Sequence, residues 1–246
     1  MPGSFWRHVN LVLKEADIII EVLDARMIEE TRHQELEDKV RRLGKKILYV
    51  VTKCDLQRKE VVEQRTRQLY PSVFISARDK LGTTKLKQKI LELARGKKVV
   101  VGVMGYPNVG KSSLINALAG RNAARTSARS GYTKGVQKVR VGTTIALLDT
   151  PGVFPSMEKD VVKHAKTASI DSGKIRDPEF ATLTIIEENM ALIKKFYAVA
   201  GNDPEEVLEH IAYALHRLTS GGEPDLEVTA RLVLRDWQRG KIHKSL

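Results

Sequence analysis

Over the first part of the chain, short continuous apolar runs alternate with longer, mostly polar stretches of helical period. ADIIIEVLDAR (16–26), KKILYVVTKCD (45–55), SVFISA (72–77) and KKVVVGVMG (97–105) read as buried strands, because an uninterrupted apolar run leaves no face for water. Between them, ETRHQELEDKVRRLG closes at Gly44, a second polar helix runs through Leu69, and a third spans about Thr84 to Ala94. SLINALAG follows as a helix ended by Gly120, and then come two strands, GVQKVRV and TTIALLD. Strands separated by helices predict a mostly parallel sheet covered on both faces. Beyond about residue 160 the pattern is helical throughout, in DPEFATLTIIEENMALIKKFYAVAG, DPEEVLEHIAYALHRL and DLEVTARLVLRDWQRG. Two of these helices open at Asp-Pro, where Asp caps and Pro is pre-set for the first turn. The change of pattern predicts two domains, 1–157 and 158–246, the second all helical.

No apolar run approaches the roughly 18–20 residues that span a bilayer, and MPGSFWRHVN lacks the apolar core of a signal peptide. No membrane association is expected. Cys54 is the single cysteine, so an intrachain disulfide is excluded and a cytoplasmic setting is expected. The formal charge of +12 is what stands out. It suits a polyanionic partner, since basic surfaces release counterions from phosphate backbones. The segment 121–140 carries Arg121, Arg125, Arg129, Lys134, Lys138 and Arg140 with no acidic residue, and is the candidate RNA surface.

GYPNVGKS (105–112) fits the phosphate-loop pattern G-x-x-x-x-G-K-[ST], after a strand and before a helix. The loop, with Asn108, Val109, Gly110 and Ser113, would turn backbone N–H groups toward phosphates, helped by the positive end of the helix. Lys111 would reach the β- and γ-phosphates and the Ser112 hydroxyl would ligate Mg²⁺. DTPG (149–152) follows a strand as a γ-phosphate sensor would: Asp149 toward the metal, the Gly152 N–H toward the phosphate. Thr133 is the candidate switch threonine, another oxygen for Mg²⁺. In VTKCD, Asp55 would accept hydrogen bonds from guanine N1–H and N2–H₂, a donor pair that adenine lacks. Lys53 would lie across the base, and Ser76-Ala77-Arg78 would offer a backbone N–H to its O6.

The order TKxD, SAR, GxxxxGKS, DTPG resembles the circularly permuted GTPases of the YlqF/YawG (RbgA-like) family, ribosome assembly factors. VLDARMIEETRHQELE is similar to that family's DAR segment, and DLEVTARLVLRDWQRGKI to its C-terminal tail, so the likeness covers nearly the whole chain. It implies an α/β P-loop NTPase fold, a circularly permuted Ras-like domain with a helical C-terminal domain. It implies GTP and GDP as ligands with Mg²⁺, potassium held by Asn108, and the large ribosomal subunit and its rRNA as partners of a monomer, with no role for DNA. Two departures stand out. Thr52 replaces the usual Asn of N-K-x-D, and its hydroxyl is not expected to bridge base and phosphate loop as an amide does. Val153 follows DTPG where Ras-like enzymes carry the water-positioning Gln, so intrinsic hydrolysis should be slow; the family looks to an N-terminal His, for which His8 is the early candidate. Other classes fit the same residues: a GTPase serving RNA modification, or a nucleotide-dependent RNA-binding scaffold.

Overall fold

Every residue of β1 (Ile18–Asp24) is buried, so helices must cover this strand on both faces. Ile18, Ile20 and Val22 share one core with Leu86 and Ile90 of α5 (Thr83–Leu93) and with Leu114, Ile115 and Leu118 of α6 (Lys111–Ala119). Ile19 faces the other way, into a core with Val9, Val12 and Leu13 of α1 (Gly3–Glu15) and Leu36 and Val40 of α3 (Gln34–Arg42). The computed structural model describes residues 3–120, 137–149, 167, 172–175 and 177–242, with the side chains of 3–8, 137 and 174 outside the description.

The remaining strands are β2 (Lys46–Thr52), β3 (Ser72–Phe74), β4 (Val99–Met104), β5 (Gln137–Val141) and β6 (Ile145–Asp149). Among the described residues they form one six-stranded sheet in the order β3-β2-β1-β4-β6-β5. All neighbours are parallel except the β5–β6 pair, which is antiparallel. The chain runs outward from β1 through β2 to β3, then returns to β4 and runs outward the other way. The reversal lies between β1 and β4, and in open parallel sheets ligands bind beside such a point, at the carboxyl ends of the strands.

The helical stretch after Glu29 is shorter than its sequence suggests. It divides into α2 (Ile28–Thr31) and α3, with the His33 ring accepting from the Leu36 N–H as the cap of α3. A buried polar network supports this corner: Glu37 is held by Arg32 at 2.8 Å, by Arg41 at 2.8 Å and by the Tyr49 hydroxyl at 2.9 Å. Between α3 and α5 lies α4 (Lys59–Arg65).

The chain divides into two compact units, Met1–Glu158 and Lys159–Leu246. The described helices of the second are α7 (Pro178–Glu188), α8 (Met190–Tyr197), α9 (Pro204–Ala214) and α10 (Leu226–Gln238). Asp177, Asp203 and Asp225 each accept the N–H three residues on, and so cap α7, α9 and α10. The long run from Asp177 to Gly201 is two helices rather than one. Asn189 leaves helical geometry, and its amide donates back to the Ile185 carbonyl at 3.0 Å. Ile185, Val207, Ile211, Val233, Leu234 and Trp237 are all buried in this unit, and the Thr182 hydroxyl reaches the Ala230 carbonyl at 3.2 Å to tie α7 to α10. Among the described residues no helix is long and apolar enough to cross a membrane.

Candidate nucleotide site

The carboxyl ends of β4, β1, β2 and β6 deliver the sequence motifs to one edge of the sheet. At the end of β4 the loop 105–110 turns sharply, and its shape depends on glycine. Gly105 sits at φ +146°, where an added Cβ would stand 2.6 Å from the Val22 carbonyl oxygen. Gly110 sits at φ +107°, directly ahead of α6. Between them Asn108 adopts the left-handed conformation, φ +59°. A loop of this shape before a helix N-terminus is suited to phosphate.

Lys111 opens α6 and is buried. Its ammonium donates to the Gly105 and Tyr106 carbonyls at 2.9 and 2.7 Å, which folds the side chain back over the loop. Burial pushes its pKa down to about 8, against the pull of the Asp149 carboxylate, so an arriving phosphate would restore the full charge. Ser112 and Ser113 follow on the first turn of α6. Asp149 ends β6, buried and in register with Val103 of β4. A serine hydroxyl and a carboxylate are hard oxygen donors of the kind Mg²⁺ takes, so this pair fits that ion. Replacing Lys111 by Ala is expected to abolish measurable GTP binding by fluorescence titration while the far-ultraviolet circular dichroism stays unchanged. Normal GTP affinity in that variant would refute the phosphate-loop assignment.

The TKCD segment lies beside this loop. Lys53, itself left-handed at φ +57°, donates to the Asn108 carbonyl and to Asp24 Oδ2, each at 2.8 Å. It thereby pins the TKCD segment to the phosphate loop. Thr52 makes a contact of its own. Its hydroxyl contacts both the Leu23 and the Val109 carbonyls, so it does reach the phosphate loop. Gly110 lies alongside, where an added Cβ would stand 3.4 Å from Thr52 Oγ1.

Asp55 is nearly buried. One of its oxygens accepts from the Ser76 hydroxyl at 3.0 Å and the other faces Arg78 at 3.2 Å. A carboxylate has about four acceptor positions, so room remains for two donors from a base. Ala77, between these two partners, is half-buried. Lys138 and Arg140 are exposed on β5. Arg121, Arg125, Arg129, Thr133, Lys134, Gly152 and Val153 lie outside the described residues, as does the side chain of His8, whose backbone is in α1.

Asp24 and Arg26 belong to the same site, and sequence reasoning did not single them out. The Arg26 guanidinium grips the Asp24 carboxylate through two bonds, at 2.9 and 2.7 Å, with both side chains buried. Burial alone would raise the Asp24 pKa. The charges of Arg26 and Lys53 outweigh it and hold the carboxyl well below the usual range. Burial likewise lowers the Lys53 ammonium below its ordinary value, with Asp24 opposing. The signal was the DAR triplet at a strand end, but nothing in the triplet announces that its charges are buried.

A family model described as 50S ribosome-binding GTPase matches residues 100–176. An uncharacterized GTP-binding protein of Methanocaldococcus jannaschii is 39% identical over 245 residues, covering 96% of this chain and 65% of that protein. A nuclear GTP-binding protein of Saccharomyces cerevisiae is 32% identical over 278 residues, 94% of this chain and 54% of its own length. Nucleolar GTP-binding protein 2 of Yarrowia lipolytica is 32% identical over 257 residues, 96% of this chain and 49% of its own. The chain thus spans between about half and two thirds of the length of these relatives. The crystal structure of GNP-bound YlqF from T. maritima is similar with a TM-score of 0.68 and 22% identity, over 96% of this chain and 94% of that one. At that identity the likeness is one of fold.

Proposed function

We propose that this chain is a member of the YlqF/YawG family of circularly permuted GTPases, and that it binds and hydrolyses GTP as a switch in assembly of the large ribosomal subunit. The observation that carries the reading is the bond from Lys53 to the Asn108 carbonyl. It joins a guanine-reading loop to a phosphate loop that comes later in the chain, so one ligand with both a purine and a phosphate tail meets both loops. Asp55 selects guanine, Ser76-Ala77-Arg78 flank the base, and residues 105–113 hold the phosphates with Lys111 across them. Ser112, Asp149 and Thr133 would hold Mg²⁺, and Asn108 would hold a potassium ion. When bound, the divalent ion neutralises charge on the β- and γ-phosphates. Gly152 reports the γ-phosphate. Residues 1–157 carry the nucleotide and 158–246 follow directly from the sensor, which lets nucleotide state act on RNA contact by the helical region. The protein acts as a monomer where ribosomes are built, which in a cell without a nucleus is the cytoplasm. The description of the matched family model, with its 50S ribosome, and the nuclear and nucleolar names of the relatives support this partner.

With Val153 in place of a water-orienting amide, the chain alone turns over slowly, and the ribosome completes the site. Hydrolysis measured in potassium buffer is therefore expected to rise at least about tenfold with purified large subunits, and not with small ones. Equal rates with and without large subunits would sink the proposed partner. Preferential retention on tRNA would point instead to RNA modification.

A further inference from the structure

Two helix-to-strand turns repeat one sequence at the amino-terminal rim of the sheet. RRLGKK (41–46) carries the chain from α3 into β2, and LARGKK (93–98) carries it from α5 into β4. In both the glycine is left-handed, φ +63° at Gly44 and +71° at Gly96, with its N–H donated back to the helix. Closing a helix explains these glycines. It does not explain the paired lysines behind each of them, because entry into a buried strand asks for nothing charged.

Lys45 and Lys46 have a partial structural account. Their ammonium groups donate to the Ala16 and Leu93 carbonyls, at the ends of α1 and α5, where the helix dipole favours a cation. Each keeps two further donors. Arg42, Arg95, Lys97 and Lys98 have no such account: all are exposed and none forms an ion pair among the described residues. Lys14, in the last turn of α1, adds another cation. The acidic neighbours are Glu15, Asp17 and Glu92. Asp17 is engaged with the Val100 N–H at 2.9 Å and Glu92 with Lys89 at 3.0 Å.

β2 and β4 both pair with β1, so the two turns lead into strands roughly 10 Å apart across the sheet, twice the strand spacing. Their glycine and following N–H groups are committed to carbonyls, which leaves side-chain charge as the only means of attraction. Flexible cations repeated in this way, without an apolar anchor between them, match a repeating anion and read no sequence.

We propose that the two GKK turns form a docking surface for the phosphate backbone of RNA, at the end of the sheet opposite the nucleotide loops. The proposal rests on the reading of a ribosomal partner, and deepens it. The test uses the full chain, with Arg42→Gln, Arg95→Gln, Lys97→Gln and Lys98→Gln combined, and purified large-subunit rRNA as probe. Affinity at low salt is expected to fall at least about tenfold, and the slope of log K against log salt to become shallower by about 3, at roughly 0.7–0.9 per lost contact. GTP affinity should be unchanged, because the nucleotide loops leave the other ends of these strands. Neutralising Arg42 alone should give about a quarter of the change in slope and Arg95, Lys97 and Lys98 together about three quarters, and exchanging Lys for Arg and Arg for Lys should leave the slope intact. An unchanged slope would overturn the proposal. So would a loss confined to intact subunits with naked rRNA unaffected, which would indicate a ribosomal protein. A shifted rRNA slope without ribosome-stimulated hydrolysis would leave this surface standing while the switch function fails.

Discussion

Asp55→Asn is expected to weaken GTP binding by about a hundredfold, two charge-assisted hydrogen bonds at roughly 1.5 kcal/mol each, and to make XTP the better ligand. On the proposed reading the carboxylate accepts from two donors on guanine. Xanthine carries a carbonyl in place of the amino group, so an amide that both accepts and donates suits it. The surroundings should tolerate the change. The Ser76 hydroxyl, 3.0 Å from Asp55 Oδ1, can donate to an amide oxygen as well. The Arg78 contact is lost, but more than half of that guanidinium is exposed, and such pairs contribute little. Competition binding of labelled nucleotides measures the outcome directly. A variant that keeps its preference for GTP would mean that Asp55 does not read the base.

Asp24→Asn should be the most destabilising single change at the site. It leaves Arg26 and Lys53 facing one another with no anion, Arg26 with a fully buried side chain. Breaking a buried pair from one side costs about 3–5 kcal/mol, or roughly 10 °C in melting temperature for a unit of this size. Since the folded pKa of Asp24 lies below the ordinary carboxylate value, its contribution is complete above about pH 4 and is lost only as pH falls through the folded pKa. Urea unfolding at neutral pH is the measurement. A second readout separates position from stability: Lys53 also holds the Asn108 carbonyl, so GTP affinity should fall at temperatures where the variant is still folded. A midpoint shift worth less than about 1 kcal/mol would mean that the cluster is compensated elsewhere.

Legibility in the sequence followed the physics of each element. The strands stood out because burial on both faces forces unbroken apolar runs, as in VVVGVM. The phosphate loop stood out because Gly105 and Gly110 adopt backbone conformations that other residues rarely take. The Asp-Pro openings of α7 and α9 stood out because capping is local. What stayed hidden depends on distance in space. Thr52 was not expected to bridge base and phosphate loop as an amide does, and that its hydroxyl meets the Val109 carbonyl is visible only once the fold brings the two segments together. The DAR triplet was visible as a likeness, but a charged pair at a strand end is ordinarily solvated, and only the packed structure shows Asp24 and Arg26 buried. The break at Asn189 was missed because apolar positions continue on both sides of it.

The reversal of strand order between β1 and β4 has a consequence for synthesis. β1, β2 and β3 leave the ribosome as one contiguous run, and β4, β5 and β6 as another; the seam between them joins the neighbouring strands farthest apart in the chain. At about 5–20 residues per second the first run waits several seconds for the second, with the apolar edge of β1 unpaired. On the proposed reading a guanine nucleotide lies across this same seam, its base on the early half and its phosphates on the late one. The ligand is then a staple between the two halves, adding about 2.7 kcal/mol when present at a hundred times its Kd, at the joint that the chain completes last.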